Sequence, residues 1–291
     1  MNKFKGIFPA LVTPFDNEGN IDVKAIEKLV EFHLNNGVDG FYIGGSSGEG
    51  FLLNLEERKY LIDAVTSIVN KKATVISHVG ALSTKEAACL ADYSSKKGCD
   101  AISSVPPFYY KYSFKEIKKY YTDIVAASSI PMIIYHIPNL TGVSFAVENI
   151  RELFENEGII GMKYTATDFF ILQSLVSAYP EKIFYNGFDE DLIAGFAVGA
   201  HGGIGTTYNF MSDKFVKINK LCKENNFEEA RKVQDTVNKI VSVLLEVGVI
   251  PGTKEVLAQL GLATNVCRAP FISLEDDAKK IVAERIIPLL K

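Results

Sequence analysis

The amino-acid sequence predicts an α/β fold, a (β/α)8 TIM barrel with a C-terminal helical extension. Its 291 residues suit one such barrel, which typically has ~250 residues, plus additional helices. A unit of apolar strand, polar or glycine-rich loop and amphipathic helix recurs at roughly 25–30 residues. The strands are continuous apolar runs, which is typical of strands buried on both faces of a parallel sheet.

The strand pattern occurs eight times. The predicted strands are 6–12, 40–43, 74–77, 101–104, 132–135, 159–163, 182–185 and 202–204. Eight alternating units most simply close into a barrel. A doubly wound open sheet is the alternative, but it would need a phosphate-binding glycine fingerprint in the first crossover. That loop is instead Thr13-Pro14-Phe15-Asp16.

Amphipathic helices are predicted between the strands and after the last of them. The intervening helices are 23–34, 55–69, 85–97, 114–127 and 169–179, and the later ones are 227–247, 251–260 and 274–290. Polar residues suited to N-caps are Asn54, Ser83, Ser113, Thr167 and Ser212. Gly37 and Gly98 follow predicted helix ends. We therefore expect a barrel over 1–225 and a helical extension over 226–291 that packs on it as part of a single-domain unit.

Composition narrows the function classes. The 31 basic and 35 acidic residues give a net charge of −4, and no dense Lys/Arg block indicates a nucleic-acid surface. The four cysteines form no CxxC pair, which disfavours a zinc or redox motif. The start lacks a signal-peptide apolar region, and no run approaches the ~20 apolar residues of a membrane span. We expect a cytoplasmic protein with a small-molecule substrate and no nucleic-acid or membrane partner.

The sixth predicted strand ends on Lys163. In a barrel of this type, chemistry gathers at the C-terminal ends of the strands. A lysine there that faces a cleft can lose its proton and attack a ketone as an amine. The alternative is that Lys163 leaves the strand into solvent, because most lysines are exposed.

The second strand leads into a glycine-rich loop, Gly44-Gly45-Ser46-Ser47-Gly48-Glu49. Its backbone N–H groups and the hydroxyls of Ser46 and Ser47 can approach an anion closely. No Gly-Lys-Ser/Thr follows, so the loop is not a Walker P-loop. A carboxylate is the favoured ligand, since the loop carries its own acid, Glu49. A plain glycine-rich turn is the alternative.

Two other strand ends carry candidate groups. The phenol of Tyr135 ends the fifth strand, where it could relay a proton or serve only as a rim aromatic. Because side chains alternate along a strand, His136 should point to the opposite face of the sheet from Tyr135. Asp189 and Glu190 follow the seventh strand. They could bind polyol hydroxyls or a divalent metal, or only cap the following helix. A metal is disfavoured because no further ligand is visible nearby.

These residue types together suit Schiff-base chemistry on a 2-keto acid. The loop would hold the carboxylate, and Lys163 would condense with the ketone. The resulting iminium would act as an electron sink while a neighbouring C–C bond is broken or made. The scheme uses no metal and no dinucleotide.

Three motifs in order resemble the signatures of a known family. They are Gly44-Gly45-Ser46-Ser47-Gly48-Glu49, Tyr135-His136-Ile137-Pro138 and Gly161-Met162-Lys163. They are similar to those of the class I pyruvate aldolases typified by N-acetylneuraminate lyase and dihydrodipicolinate synthase, and the resemblance runs nearly the whole length. Leu140 stands where the synthases carry an arginine, and Gly187-Phe188-Asp189-Glu190 resembles the lyases' polyol-binding segment. Within the family, the pattern therefore resembles the lyases.

The resemblance implies reversible cleavage of N-acetylneuraminate to N-acetylmannosamine and pyruvate without a metal or organic cofactor. Lys163 would form the Schiff base and Tyr135 would orient the substrate carboxylate and help move the C4 hydroxyl proton. The implied substrate-binding residues are Ser46 and Ser47 for the carboxylate, Thr165 for the C4 oxygen, and Gly187, Asp189, Glu190 and Thr206 for the polyol tail. Tyr109 would reach the neighbouring subunit's site in a homotetramer built from dimers.

Two departures from the lyase pattern stand at Ser47, where threonine is usual, and at Thr206, where serine is frequent. Both keep a hydroxyl, so they bear on fine specificity. The alternatives are dihydrodipicolinate synthesis, cleavage of another 2-keto-3-deoxy sugar acid, and a ligand-binding barrel without catalysis.

Overall fold

The computed structural model of the chain describes residues 2–290. One parallel eight-stranded sheet has the order β1-β8-β7-β6-β5-β4-β3-β2, and a bridge between Ala10 and Tyr42 joins its two ends. The predicted (β/α)8 barrel is thus confirmed. The strands are β1 (Gly6–Pro9), β2 (Gly40–Ile43), β3 (Thr74–His78), β4 (Ala101–Ser104), β5 (Met132–His136), β6 (Ile159–Tyr164), β7 (Ile183–Asn186) and β8 (Gly202–Gly205).

The first strand is shorter than predicted. Its ladder with β8 ends at Pro9, and the apolar residues that follow are buried loop residues rather than strand. There Ala10 N–H donates to Gly205 O and Leu11 N–H donates to Tyr42 O. An apolar run alone does not distinguish a strand from a buried loop. For this reason the predicted strand extended to residue 12.

Helices surround the barrel and continue beyond its last strand. They are α1 (Val23–Asn35), α2 (Leu55–Val69), α3 (Thr84–Lys96), α4 (Phe114–Ala126), α5 (Pro138–Thr141), α6 (Val147–Phe154), α7 (Phe169–Ala178), α8 (Leu192–Ala197), α9 (Tyr208–Lys223), α10 (Phe227–Val247), α11 (Val249–Gln259), α12 (Asp276–Arg285) and α13 (Ile287–Leu290). Three-residue 3-10 turns occur at Asn2–Phe4, Gly50–Leu52 and Asp189–Asp191. No helix within residues 2–290 is long and apolar enough to cross a membrane.

Several predicted helix ends are confirmed. Asn54 and Ser113 each form a capping box with the residue three positions on. Ser83 occupies the N-cap of α3 without a side-chain hydrogen bond. Gly37 and Gly98 have φ of +79° and +82°, the left-handed conformation that glycine adopts readily after a helix.

Two predicted caps were wrong. The N-cap of α7 is Asp168, whose carboxylate accepts a hydrogen bond from Ile171 N–H, so Thr167 lies one residue before it. Ser212 lies inside α9, which begins at Tyr208, and directly follows Met211, whose φ of −142° and ψ of 38° interrupt the helix. Its hydroxyl is buried and accepts a hydrogen bond from Asn36 Nδ2. A serine or threonine next to an apolar run can cap a helix or form a hydrogen bond with a buried group elsewhere in the fold. The sequence alone does not distinguish these two roles.

Side chains alternate between two apolar layers. Ile133 and Tyr135 of β5 belong to the cluster inside the barrel, whereas Met132, Ile134 and the β6 residues Met162 and Tyr164 belong to the layer under the helices. Because successive strand residues face opposite sides, Lys163 faces the barrel interior next to Tyr135. The two residues are register partners.

The helical extension covers one side of the barrel. α10 contacts α8 and α9, and α11 also contacts α9. α11 begins at Val249, slightly earlier than predicted, with Pro251 in its first turn. The segment predicted as one helix over 274–290 is two helices separated at Ile286. The predicted extension over 226–291 ends on a residue outside the described range.

The revised cap of α7 can be tested directly. Asp168→Ala should lower the free energy of unfolding by about 1 kcal/mol, because the first turn of the helix loses its side-chain acceptor. Thr167→Ala is the matched control and should change it by less than about 0.5 kcal/mol. Urea unfolding followed by circular dichroism measures both. An equal or larger loss in Thr167→Ala would contradict the revised cap.

Candidate active site

A cavity of about 440 Å³ opens at the C-terminal ends of the strands. Its lining comes from β5 and β6, from the loops after β2, β5, β6, β7 and β8, and from α10, α11 and Phe271. Nine of the predicted site residues contribute to its lining: Ser46, Ser47, Tyr135, Lys163, Thr165, Gly187, Asp189, Glu190 and Thr206. Residues predicted separately at different strand ends thus share one cavity.

Lys163 is buried, with 4% of its surface exposed. Its Nζ lies 4.1 Å from the ring centroid of Tyr135 and 4.8 Å from that of Tyr42. Over the part of the chain that the structure describes, Lys163 forms no ion pair. The amine therefore lies between two aromatic faces, which attract a cation weakly, and it does not extend into solvent.

Tyr42 and His78 support the aromatic surroundings of this amine. The hydroxyl of Tyr42 donates to Ser103 Oγ at 3.1 Å, which fixes its ring. His78 packs edge-on against the ring of Tyr135, with its Nδ1 3.2 Å from Gly44 O. Burial lowers the pKa of His78 well below its usual value, and the positive charges of Arg58 and Lys163 act in the same direction. The imidazole is therefore neutral and supports the ring of Tyr135 by packing against it.

The glycine-rich loop is held in a compact conformation. Gly44 has a φ of +66°, and a Cβ on Gly50 would lie 1.9 Å from Gly44 O. Ser46 is half-buried and Ser47 is buried. The Oγ of Ser47 lies 2.7 Å from Thr206 Oγ1, so hydroxyls after β2 and β8 meet at one edge of the cavity.

Glu49 of the same loop is not part of the cavity lining. Its carboxylate is buried and forms an ion pair with Lys254 of α11. The acid that suggested a carboxylate-binding loop in the sequence therefore supports the loop from outside the cavity. Lys254 had no signal in the sequence, because a lysine in an amphipathic helix normally lies on the solvated face.

Asp189 and Glu190 form a turn that is anchored on both sides. Asp189 Oδ2 accepts hydrogen bonds from the N–H and hydroxyl of Thr207, both at 2.6 Å. On the other side, Gln234 Nε2 donates to Asp189 O at 3.0 Å, and Asn238 Nδ2 donates to Glu190 O at 3.3 Å. The backbone of the turn is thus tied to α10.

Burial raises the pKa of Asp189 to about 6, and the nearby Glu190 adds to this. The hydrogen bonds from Thr207 and the charge of Lys163 oppose the increase. Burial also raises the pKa of Glu190. Within residues 2–290, neither side chain caps the helix that follows it, α8. Across residues 2–290, no three His, Cys, Asp or Glu side chains are grouped as metal ligands.

Thr165 and Gly187 meet at close range. A Cβ on Gly187 would lie 1.9 Å from Thr165 Oγ1, so glycine is required where the β7 loop passes this hydroxyl. Thr165 Oγ1 is buried and has no hydrogen-bond partner within residues 2–290. Because an unpaired buried hydroxyl is costly, this atom is a ready site for a ligand oxygen.

Tyr109 is the predicted residue that does not reach the cavity of its own chain. It is 71% exposed and lines a separate surface depression with Tyr110 and Tyr112. Its ring packs edge-on against Tyr110, with centroids 4.9 Å apart. A role in a neighbouring subunit's site stays a prediction.

Sequence reasoning missed the apolar wall of the cavity. It is formed by Val241, Leu244, Leu245, Val249, Ile250 and Phe271. The helical periodicity of α10 and α11 marks buried faces, but periodicity does not say which part of a buried face meets a cavity.

The fold and cavity define an enzyme-type (β/α)8 barrel with its candidate site at the C-terminal face of the strands. The chain belongs to the dihydrodipicolinate synthetase family, whose model matches residues 3–287. It is 41% identical over 288 residues to N-acetylneuraminate lyase of Rhizobium meliloti, covering 99% of this chain and 96% of that protein.

Solved structures agree with this assignment. N-acetylneuraminate lyase from Fusobacterium nucleatum has a TM-score of 0.94 at 37% identity, covering 99% of this chain and 100% of that one. Its complex with pyruvate has a TM-score of 0.94 at 36% identity, covering 100% and 98%. The family expected from the three sequence motifs is confirmed.

The raised pKa of Asp189 predicts a pH-dependent stability difference. A carboxyl with a raised native pKa contributes stability that is complete below its unfolded-state pKa and is lost as the pH rises through about 6. The wild type should therefore gain stability relative to Asp189→Asn as the pH falls from 7 to 4. The difference between their free energies of unfolding should increase by about 2–3 kcal/mol. Urea unfolding at several pH values measures this, and a difference that stays flat would contradict it.

Proposed function

We propose that this chain is a Schiff-base aldolase that reversibly cleaves N-acetylneuraminate to N-acetylmannosamine and pyruvate. The observation that carries the proposal is the buried amine of Lys163, without a carboxylate partner in the described chain, in one cavity with the serine loop and the Asp189–Glu190 turn. Membership of the family and relatives named as lyases support the same reaction.

Lys163 is the proposed nucleophile. Its neutral amine attacks the C2 carbonyl carbon of the open-chain sugar acid, and the carbonyl oxygen leaves as water after proton transfer. The product is a cationic iminium between Nζ and C2. The ring faces of Tyr135 and Tyr42 lie 4.1 and 4.8 Å from Nζ, where they favour a positive charge.

The hydroxyls of Ser46 and Ser47, with the backbone N–H groups of their loop, bind the C1 carboxylate. Tyr135 orients this carboxylate and helps to move the proton from the C4 hydroxyl. The buried, unpaired Oγ1 of Thr165 binds the C4 oxygen. As that proton leaves, the C4 oxygen forms a carbonyl and the C3–C4 bond breaks. Its electron pair flows to the iminium nitrogen and leaves an enamine.

Protonation of the enamine at C3 restores an iminium, and water then releases pyruvate and the free amine. This cycle needs no metal or organic cofactor, because the iminium itself accepts the electron pair. The polyol tail is bound by Gly187, Asp189, Glu190 and Thr206, which line the cavity. Asp189 Oδ2 is already engaged by Thr207, so the half-buried Glu190 is the freer acceptor.

The proposed assembly is a cytoplasmic homotetramer in which Tyr109 reaches the neighbouring subunit's site. Its high exposure supports this, and the free thiols of all four cysteines are consistent with a reducing compartment.

The nucleophile can be identified by trapping. Incubation with pyruvate followed by borohydride should reduce an adduct on Lys163, which peptide mass spectrometry locates. Lys163→Ala should lose the adduct and reduce turnover by at least about a thousandfold. Lys182→Ala is the matched control, since that amine donates to Ile159 O outside the cavity. No adduct, or one on another lysine, would refute the mechanism.

A substrate panel tests the choice within the family. Turnover of N-acetylneuraminate should exceed pyruvate condensation with aspartate semialdehyde, because Leu140 offers no charge to a second carboxylate. A coupled assay for released pyruvate and a direct assay for the condensation product measure the two reactions. Preferred use of aspartate semialdehyde, or of a different 2-keto-3-deoxy sugar acid, would reverse the substrate assignment.

A further inference from the structure

A buried ion pair lies outside the cavity and behind the glycine-rich loop. Glu49 ends the loop and Lys254 lies in α11, and their side chains are 0% and 1% exposed. Neither residue lines the cavity. The pair joins the loop proposed to bind the substrate carboxylate to a helix that follows the barrel.

Each partner of the pair is fixed by a further contact. The backbone N–H of Arg268 donates to Glu49 Oε2 at 2.7 Å, and Lys254 Nζ donates to Val266 O at 2.8 Å. The Arg268 guanidinium forms an ion pair with Glu57. We call Glu49, Lys254 and Arg268 the loop clasp.

The clasp holds a backbone conformation that Glu49 does not favour. Its φ and ψ are +55° and 30°, in the left-handed region that costs a residue with a Cβ energy. In this conformation, Glu49 N–H donates to Ser46 O at 3.1 Å. The same turn is held at its other side by Thr13 Oγ1, which donates to Gly48 O at 2.6 Å. Glu49 is therefore bonded directly to the backbone of Ser46 within this turn.

Stability alone is a weak reason for such a pair. A buried ion pair gains little net stability, because desolvation of both charges offsets their attraction, and apolar replacements are often tolerated. Buried polar groups whose hydrogen bonds are satisfied can instead fix one conformation of the segments that they join. We propose that Lys254 is a positioning residue: through Glu49 it holds Ser46 and Ser47 in the geometry that binds the substrate carboxylate. This inference rests on the proposed function of the loop.

The test compares two ketones that differ in the carboxylate. Pyruvate and hydroxyacetone are each titrated against the enzyme, and the borohydride-trapped adduct on Lys163 is quantified. Lys254→Met should raise the pyruvate concentration for half-maximal trapping by about tenfold, the scale of one charge-assisted hydrogen bond. The value for hydroxyacetone should change by less than about twofold, because that ketone has no carboxylate to position. In steady state, KM should rise more than kcat falls.

Two further variants keep the result interpretable. Glu49→Gln combined with Lys254→Met removes both charges, so it does not leave one buried charge unpaired if the single variant fails to fold. It should show the same selective loss for pyruvate. Lys97→Met is the matched control, because it breaks an exposed pair with Asp63 and should leave both ketones unchanged.

The outcomes separate the inference from the proposed function. If the wild type forms no pyruvate adduct on Lys163, the proposed function itself fails. If the wild type is trapped but folded clasp variants keep the wild-type response to pyruvate, the positioning role is wrong. Equal losses for both ketones would also overturn it, because a general structural effect does not depend on the carboxylate.

Discussion

The burial of the Lys163 amine without a counter-charge in the described chain is the constraint around which the top of the barrel is organised. A lysine is rarely buried unless it is paired, and a carboxylate partner would hold the amine as an ammonium ion. Here two aromatic faces contact it instead. Their attraction for a cation is about 0.5–2 kcal/mol, and it also favours the iminium cation of the proposed reaction.

That arrangement follows from strand alternation and from the support of each ring. Lys163 and Tyr135 are register partners on neighbouring strands, so both face the barrel interior. Tyr42 reaches the same space from β2 because its hydroxyl is tied to Ser103 of β4. His78, neutral through burial, packs against Tyr135 and approaches Gly44 O. The lysine environment and the glycine-rich loop therefore share one support.

Much of the fold and of the candidate site could be predicted from the sequence, because these features depend on local patterns. The eight apolar runs predicted the strands, and the parallel barrel then gathered their C-terminal ends. Lys163, Tyr135 and the serine loop could be selected on that basis alone, and nine predicted residues line one cavity. The resemblance added Thr165 to the set and supplied the roles of all these residues, which no periodicity contains. Local patterns also misled, since Thr167 and Ser212 resemble caps whose actual function depends on neighbours elsewhere in the fold.

The features that could not be predicted are contacts between segments far apart in the sequence. Several of them join the helical extension to the loops around the cavity. Arg268 lies 219 residues from Glu49, yet its N–H is bonded to that carboxylate. α10 likewise reaches the Asp189–Glu190 turn through Gln234 and Asn238. The extension thus holds both ends of the cavity, the serine loop through α11 and the acidic turn through α10. A barrel built from eight βα units supplies the amine and the hydroxyls, but their relative positions depend on helices that follow the last strand.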